Sequence, residues 1–279
     1  MTQPPIVLLT DFGTRDAYVG MVKAVLAGLA PGSRHIDLTH AIPPGDVRAG
    51  AFALWQAINY LPAGSVVLAV VDPGVGTSRR GLALRLPTGF GVGPDNGLFS
   101  WVLDPAAPVQ AVELDPSRLA PGALSATFHG RDLFAPAAAR LASAYGLADL
   151  GRPLAEIVRL PLPRLEATPD GLRGEVLWID HFGNVVTSLG RLRAVGDAYE
   201  FSAAWQDHRP RRLHASGVRL VLPSGVTLPL VRTFGDVPAG DPLAYVGSSG
   251  LVEIGVRAGR ADERFNLSPG ETVALHIEG

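Results

Sequence analysis

The first half of the chain alternates compact apolar runs with apolar residues at helical spacing. Ile6, Val7, Leu8 and Leu9 form an unbroken run, predicting a buried strand that leads into the polar stretch 10–15. Val19, Val22, Val25, Leu26 and Leu29 then share one helical face, and Pro31-Gly32 stops that helix. Residues 35–38 predict a second strand. Asp46 stands where an N-cap belongs, ahead of a helix whose Val47, Leu54, Trp55, Ile58 and Leu61 lie on one side. Residues 65–71 are continuous and valine-rich, as in a central strand covered on both faces. This alternation predicts an α/β domain on a mostly parallel sheet.

The pattern changes in the middle of the chain. Arg152-Pro153, Pro161, Pro163 and Pro169-Asp170-Gly171 crowd together, predicting a Pro-rich linker over 156–170 between domains at 1–155 and 171–279. Beyond it, strand-like runs recur at 174–179, 185–189, 218–222, 226–231, 243–246, 251–256 and 272–277, with Gly and Pro turns between them. No helical pattern intervenes. Short strands at such spacing predict a C-terminal β-barrel-like domain. The first domain ends in an Ala-rich helix around 135–144.

Composition narrows the possible classes. At 279 residues, 47% hydrophobic and 18% charged, the chain has enough apolar surface for two globular cores. A net charge of −2 gives no electrostatic case for nucleic acid or an anionic membrane as partner. The complete lack of cysteine excludes disulfides, thiolate metal sites, iron–sulfur clusters and cysteine nucleophiles. The N-terminus has neither a basic region nor a small-residue cleavage site, and no apolar run reaches the ~18 residues of a membrane span. A cytoplasmic protein is expected.

Four polar loops abut the apolar runs, where α/β sheets bind ligands. In Thr10-Asp11-Phe12-Gly13-Thr14-Arg15-Asp16, an aspartate can accept both hydroxyls of a ribose diol, while Asp16 also suits a helix cap. In Asp72-Pro73-Gly74-Val75-Gly76-Thr77-Ser78-Arg79-Arg80, Arg79 can fold back on Asp72 and favour its ionised form, though a surface salt bridge would read alike. Thr127-Phe128-His129-Gly130-Arg131-Asp132 sets an imidazole between an aromatic ring and a glycine, a setting for proton handling or for a merely structural histidine. Asp180-His181-Phe182-Gly183-Asn184 joins two strands and, as a hairpin connection, needs no function.

Other motifs carry less. Gly89-Phe90-Gly91-Val92-Gly93 imitates the glycine pattern of methyltransferases but leads into Pro94-Asp95-Asn96-Gly97, a turn instead of a helix. His35 and His40 lack carboxylate neighbours at metal-ligand spacing, so neither metal nor cofactor is expected.

As an ordered set, the four loops resemble the S-adenosylmethionine hydrolase (hydroxide adenosyltransferase) family, relatives of the fluorinase and chlorinase. The resemblance implies an α/β domain, a barrel domain, and a homotrimer with sites at subunit interfaces. It implies that Asp11 holds the ribose diol and that Asp16 lies near the methionine end. Asp72, Arg79 and His129 match the hydrolytic triad. Asp180 and Asn184 match contacts to the methionine ammonium and the adenine side, Phe234 an adenine-stacking aromatic, and Ser248 and Ser249 the grip on the methionine carboxylate. The fluorinase has an arginine at the place of Ser249, so carboxylate binding here would use hydroxyls and backbone. Gly45 stands where an aromatic or amide side chain is common.

The implied reaction is attack of water on C5′, giving adenosine and L-methionine. The sulfonium already provides a neutral leaving group, so the catalytic burden falls on the nucleophile: water, with a pKa near ~15.7, must be positioned and deprotonated. A halide would need donors and would be repelled by a carboxylate. Halogenating relatives carry tyrosine where Asp72 stands, and the fluorinase carries Tyr-Ser in place of His129-Gly130. An adenosyl halogenase and a non-catalytic adenosyl-ligand-binding protein remain the alternatives.

Overall fold

The computed structural model describes residues 3–119, 122, 124–196, 198–205, 211–214 and 217–277. They fall into two compact units, Met1–Leu160 and Pro161–Gly279.

The first unit runs β1 (Ile6–Thr10), α1 (Tyr18–Leu29), β2 (His35–Thr39), α2 (Val47–Ala57), β3 (Ser65–Val70), β4 (Gly81–Leu86), β5 (Gly89–Pro94), β6 (Ala111–Leu114), α3 (Pro116–Leu119), α4 (Ala135–Ala142) and β7 (Gly151–Leu154). Its seven-stranded sheet has the order β2-β1-β3-β5-β4-β6-β7. Parallel pairing spans β2-β1-β3-β5, the half from which the polar loops of β1 and β3 emerge. The other half is antiparallel. The switch has a local cause: β4 and β5 are joined by Pro87-Thr88 alone, and two residues can close only an antiparallel pair. Gly89–Pro94 is thus a strand, its backbone spent on β3 and β4.

Every residue of β1 and β3 is buried. At roughly 1.5–3 kcal/mol for each buried Val or Leu, these two strands contribute a continuous apolar seam to the unit. Val22 and Leu26 of α1 share one core with the alanines of α4, whose small side chains let the helix lie close to the sheet. Asp46 accepts a hydrogen bond from Ala49 N at 2.9 Å, the expected N-cap of α2.

The second unit contains β8 (Leu165–Thr168), β9 (Gly171–Ile179), β10 (Val185–Val195), β11 (Ala198–Ser202), β12 (Arg211–His214), β13 (Val218–Val221), β14 (Thr227–Val231), β15 (Pro242–Val246), β16 (Leu251–Val256), α5 (Ala261–Phe265) and β17 (Thr272–Ile277). Seven strands close on themselves in the order β9-β10-β16-β15-β14-β13-β17, because β10 pairs with both β16 and β9. Closure leaves those strands no free edge. Val252, Ile254 and Val256 of β16 point into the barrel core, so the alternating Glu253 and Gly255 belong to the opposite face. The five-residue α5 is too short to register a helical period, which is why the sequence pattern showed none there.

Candidate active site

β1 and β3 are parallel neighbours with Thr10 opposite Val70, so their following loops leave the same end of the sheet. Asn96 Nδ2 donates to Val71 O at 2.8 Å and pins the backbone just ahead of Asp72. Arg79 then reaches back across its own loop. Its Nε donates to Asp72 Oδ1 at 2.8 Å, and its Nη2 donates to Asp72 Oδ2. The same Nη2 lies 2.9 Å from His129 Nδ1. The salt-bridged pair is largely buried, with side-chain exposures of 6% for Asp72 and 11% for Arg79. A bidentate fork of this kind fixes the plane as well as the position of the carboxylate.

His129 is half-buried, edge-on to Phe134, whose ring also lies 5.1 Å beneath the Arg79 guanidinium. Burial holds its pKa below the ordinary 6.5, and the Arg79 charge pushes the same way against Asp72 and Asp132. The ring is neutral at pH 7. A guanidinium has no acceptor, so Nδ1 must accept from Arg79 and the ring proton resides on Nε2. A π-helical turn, Gly130–Phe134, follows His129 and leads into α4. Arg131 pairs with its neighbour Asp132, which also accepts from Ser125 N at 3.0 Å.

The Asp11 loop is anchored independently. Thr10 Oγ1 lies 2.8 Å from His40 Nδ1, and Gly13 N donates to His40 O at 2.8 Å. His40 Nε2 in turn faces Asp37 Oδ1 at 3.1 Å, a carboxylate neighbour that spacing in the sequence did not reveal. Asp11 Oδ2 accepts from Gly45 N at 2.8 Å. Gly45 has φ +75°, so a left-handed backbone aims its N–H at the carboxylate where a side chain was expected. Asp16 is exposed, and no side chain caps α1, whose N-cap position is Ala17; the helix-cap reading of Asp16 fails. Among the described residues no group of three His, Asp or Glu is arranged to hold a metal.

In the barrel unit, the Asp180 loop is a tight hairpin between β9 and β10. Asp180 Oδ1 accepts from Phe182 N at 2.9 Å and Asn184 N at 2.8 Å, while Oδ2 accepts from Asn184 Nδ2 at 2.8 Å. Phe234 packs on Tyr245 with ring centroids 4.8 Å apart. Ser248 and Ser249 occupy the β15–β16 turn and line a cavity of about 430 Å³ with Arg191, Arg193 and Ser202. The Ser249 hydroxyl is buried without a hydrogen-bond partner among the described residues.

A family model described as the SAM hydroxide adenosyltransferase N-terminal domain matches residues 6–151, and the C-terminal domain model of the same family matches residues 174–274. The chain belongs to this family. A SAM hydroxide adenosyltransferase relative from Thermus thermophilus, named (R)-S-adenosyl-L-methionine hydrolase, is 47% identical over 97% of this chain and 99% of its own. A protein of the same name from Salinispora tropica is 46% identical over 98% of this chain and 97% of its own. A fluorinase from Actinoplanes sp. stands further off, at 30% identity over 98% and 97%. The crystal structure of an uncharacterized conserved protein from Thermotoga maritima has a TM-score of 0.83 at 31% identity, covering 97% of this chain and 99% of that one.

Within the SAM hydroxide adenosyltransferase fold, the structure joins Asp72, Arg79 and His129 through one guanidinium and joins Asp180 to Asn184 through a side-chain hydrogen bond. Tyr245 and Glu253 stand near Asp180, Arg191 stands beside Ser248 and Ser249, and all three escaped the sequence reading. For Glu253 a signal existed: it is the lone charge in the apolar run 251–256.

Proposed function

We propose that the chain hydrolyses S-adenosyl-L-methionine to adenosine and L-methionine by attack of water at C5′. The observation that carries this reading is the Arg79 guanidinium, which grips both oxygens of Asp72 and donates to His129 Nδ1. Lone-pair accounting divides the work. His129 has spent its only acceptor on Arg79, so its Nε2–H donates to the water oxygen and orients it. Each Asp72 oxygen keeps a further lone pair, so Asp72 takes the proton as the C5′–O bond forms and the C5′–S bond breaks. Methionine leaves as a neutral thioether.

Asp11 binds the ribose diol and Asp16 lies toward the methionine end. Asp180 receives the α-ammonium, Asn184 and Phe234 serve the adenine side, and Ser248 and Ser249 hold the carboxylate. The unpaired Ser249 hydroxyl supports that last role, because a buried hydroxyl without a partner costs about 1–3 kcal/mol. The enzyme needs no cofactor in this reading. It works in the cytoplasm as a homotrimer with sites at subunit interfaces, a state the family resemblance implies and light scattering would measure. No helix among the described residues is long and apolar enough to cross a membrane.

The test is incubation with S-adenosylmethionine in ¹⁸O-water containing chloride, followed by mass spectrometry. Labelled adenosine with methionine is the expected outcome. 5′-Chloro-5′-deoxyadenosine would identify a halogenase, and unchanged ligand a binding protein.

A further inference from the structure

We propose that Glu253 is a second carboxylate of the substrate's α-ammonium subsite, acting beside Asp180. This rests on the reading of the substrate as an amino-acid sulfonium. Glu253 is only 8% exposed, on the face of β16 turned away from the barrel core. It sits opposite Tyr245 on β15 and Val186 on β10, and Tyr245 Oη donates to its Oε2 at 2.6 Å. Among the described residues no lysine, arginine or histidine pairs with it. Burying a carboxyl group without a cation is costly, and a structural role would be served as well by an apolar or amide side chain.

The surroundings identify what such an acid would meet. Burial pushes the Glu253 pKa up against the Tyr245 hydrogen bond, and Asp180 is near enough for its negative charge to add to that rise. The charge of Asp180 is thus felt at Glu253, and no cation pairs with Glu253 itself among the described residues; Arg260, the cation on the Asp180 hairpin, is engaged by Asp262, Glu263 and His181 O. An ammonium carries three donors. Asp180 already accepts three hydrogen bonds from its own hairpin, so about one of its roughly four lone-pair positions is left for a ligand. Further acceptors must come from elsewhere. The β15–β16 turn rests directly on Glu253: a Cβ on Gly247 would fall 1.8 Å from Oε1. That turn carries Ser248 and Ser249, so Glu253 adjoins the turn of the proposed carboxylate grip and also feels the charge of Asp180. An α-amino acid presents its two charged groups on a single carbon, and this arrangement suits it.

Calorimetry with L-methionine, 4-(methylthio)butanoate (the same molecule without its amino group) and adenosine tests the idea. In Glu253→Gln, L-methionine affinity is expected to fall roughly 10–100-fold, while the other two ligands change less than about threefold. Tyr245→Phe, which keeps the acid and removes its tether, is expected to cost L-methionine less than Glu253→Gln does. Equal L-methionine affinity in wild type and Glu253→Gln would overturn the proposal. So would a loss shared by all three ligands, or a Tyr245→Phe loss as large as that of Glu253→Gln. Wild-type protein that leaves S-adenosylmethionine intact would instead overturn the functional reading, whatever Glu253 does.

Discussion

Asp72 in the α/β unit and Asp180 in the barrel unit are both carboxylates on the loop that follows a strand, yet they are held in opposite ways. Asp72 is gripped by a side chain, the Arg79 fork, which also reaches His129. Asp180 is gripped by its own hairpin: the backbone N–H groups of Phe182 and Asn184 and the Asn184 side-chain amide. The first arrangement orders three side chains around a point where a small nucleophile would sit. The second makes the carboxylate part of the turn, so binding and local structure share the same atoms. Chemistry and recognition are thereby built with different anchors, and substitutions should separate them.

The largest effect is expected at Asp72. Asp72→Asn keeps the shape but removes the proton acceptor, and kcat should drop by roughly 10²–10⁴-fold with substrate affinity little changed. A matching loss of affinity, read by calorimetry, would make Asp72 a binding residue like Asp180. Next, Arg79→Lys preserves charge but cannot span both Asp72 oxygens and His129, so turnover should fall about 10²-fold through misplacement.

The comparison also predicts a pH profile. Because the folded His129 pKa lies below 6.5, its ring stays neutral as pH falls through that value. Protonating Nδ1 at lower pH turns it from acceptor to donor against Arg79. The acid limb of kcat/KM should therefore lie below pH 6.5, and a midpoint at or above 6.5 would contradict the assignment.

Asp180→Ala should instead raise KM by roughly 10–100-fold and lower stability by about 1–3 kcal/mol, because the hairpin N–H groups lose their acceptor. A fall in kcat with unchanged KM would erase the distinction between the two carboxylates. The smallest effect is a control: Asp46→Ala removes the α2 cap and should cost about 1 kcal/mol in thermal unfolding without touching KM.

Much of this was legible from residue pattern. Unbroken apolar runs mark β1 and β3, helical spacing marks α1 and α2, and alternating short runs mark most barrel strands, since periodicity records which faces meet the core. The order of polar loops sufficed to point to a family. Strands β4, β5, β6, β7, β8, β11 and β12 were missed; β6, β7, β8 and β12 have only four residues each, too short for a period to stand out. The antiparallel half of the sheet followed from a two-residue connection whose meaning emerges only once both flanking segments are strands. What tertiary structure alone decided are the contacts between particular groups, whether near or far along the chain. That Arg79 reaches both Asp72 and His129, that His40 meets Asp37, that Gly45 offers a backbone N–H to Asp11, and that Glu253 lies under Gly247 all depend on where the backbone brings side chains in three dimensions. A sequence records which groups are present; hydrogen bonds act over about 3 Å, and only the folded chain sets those distances.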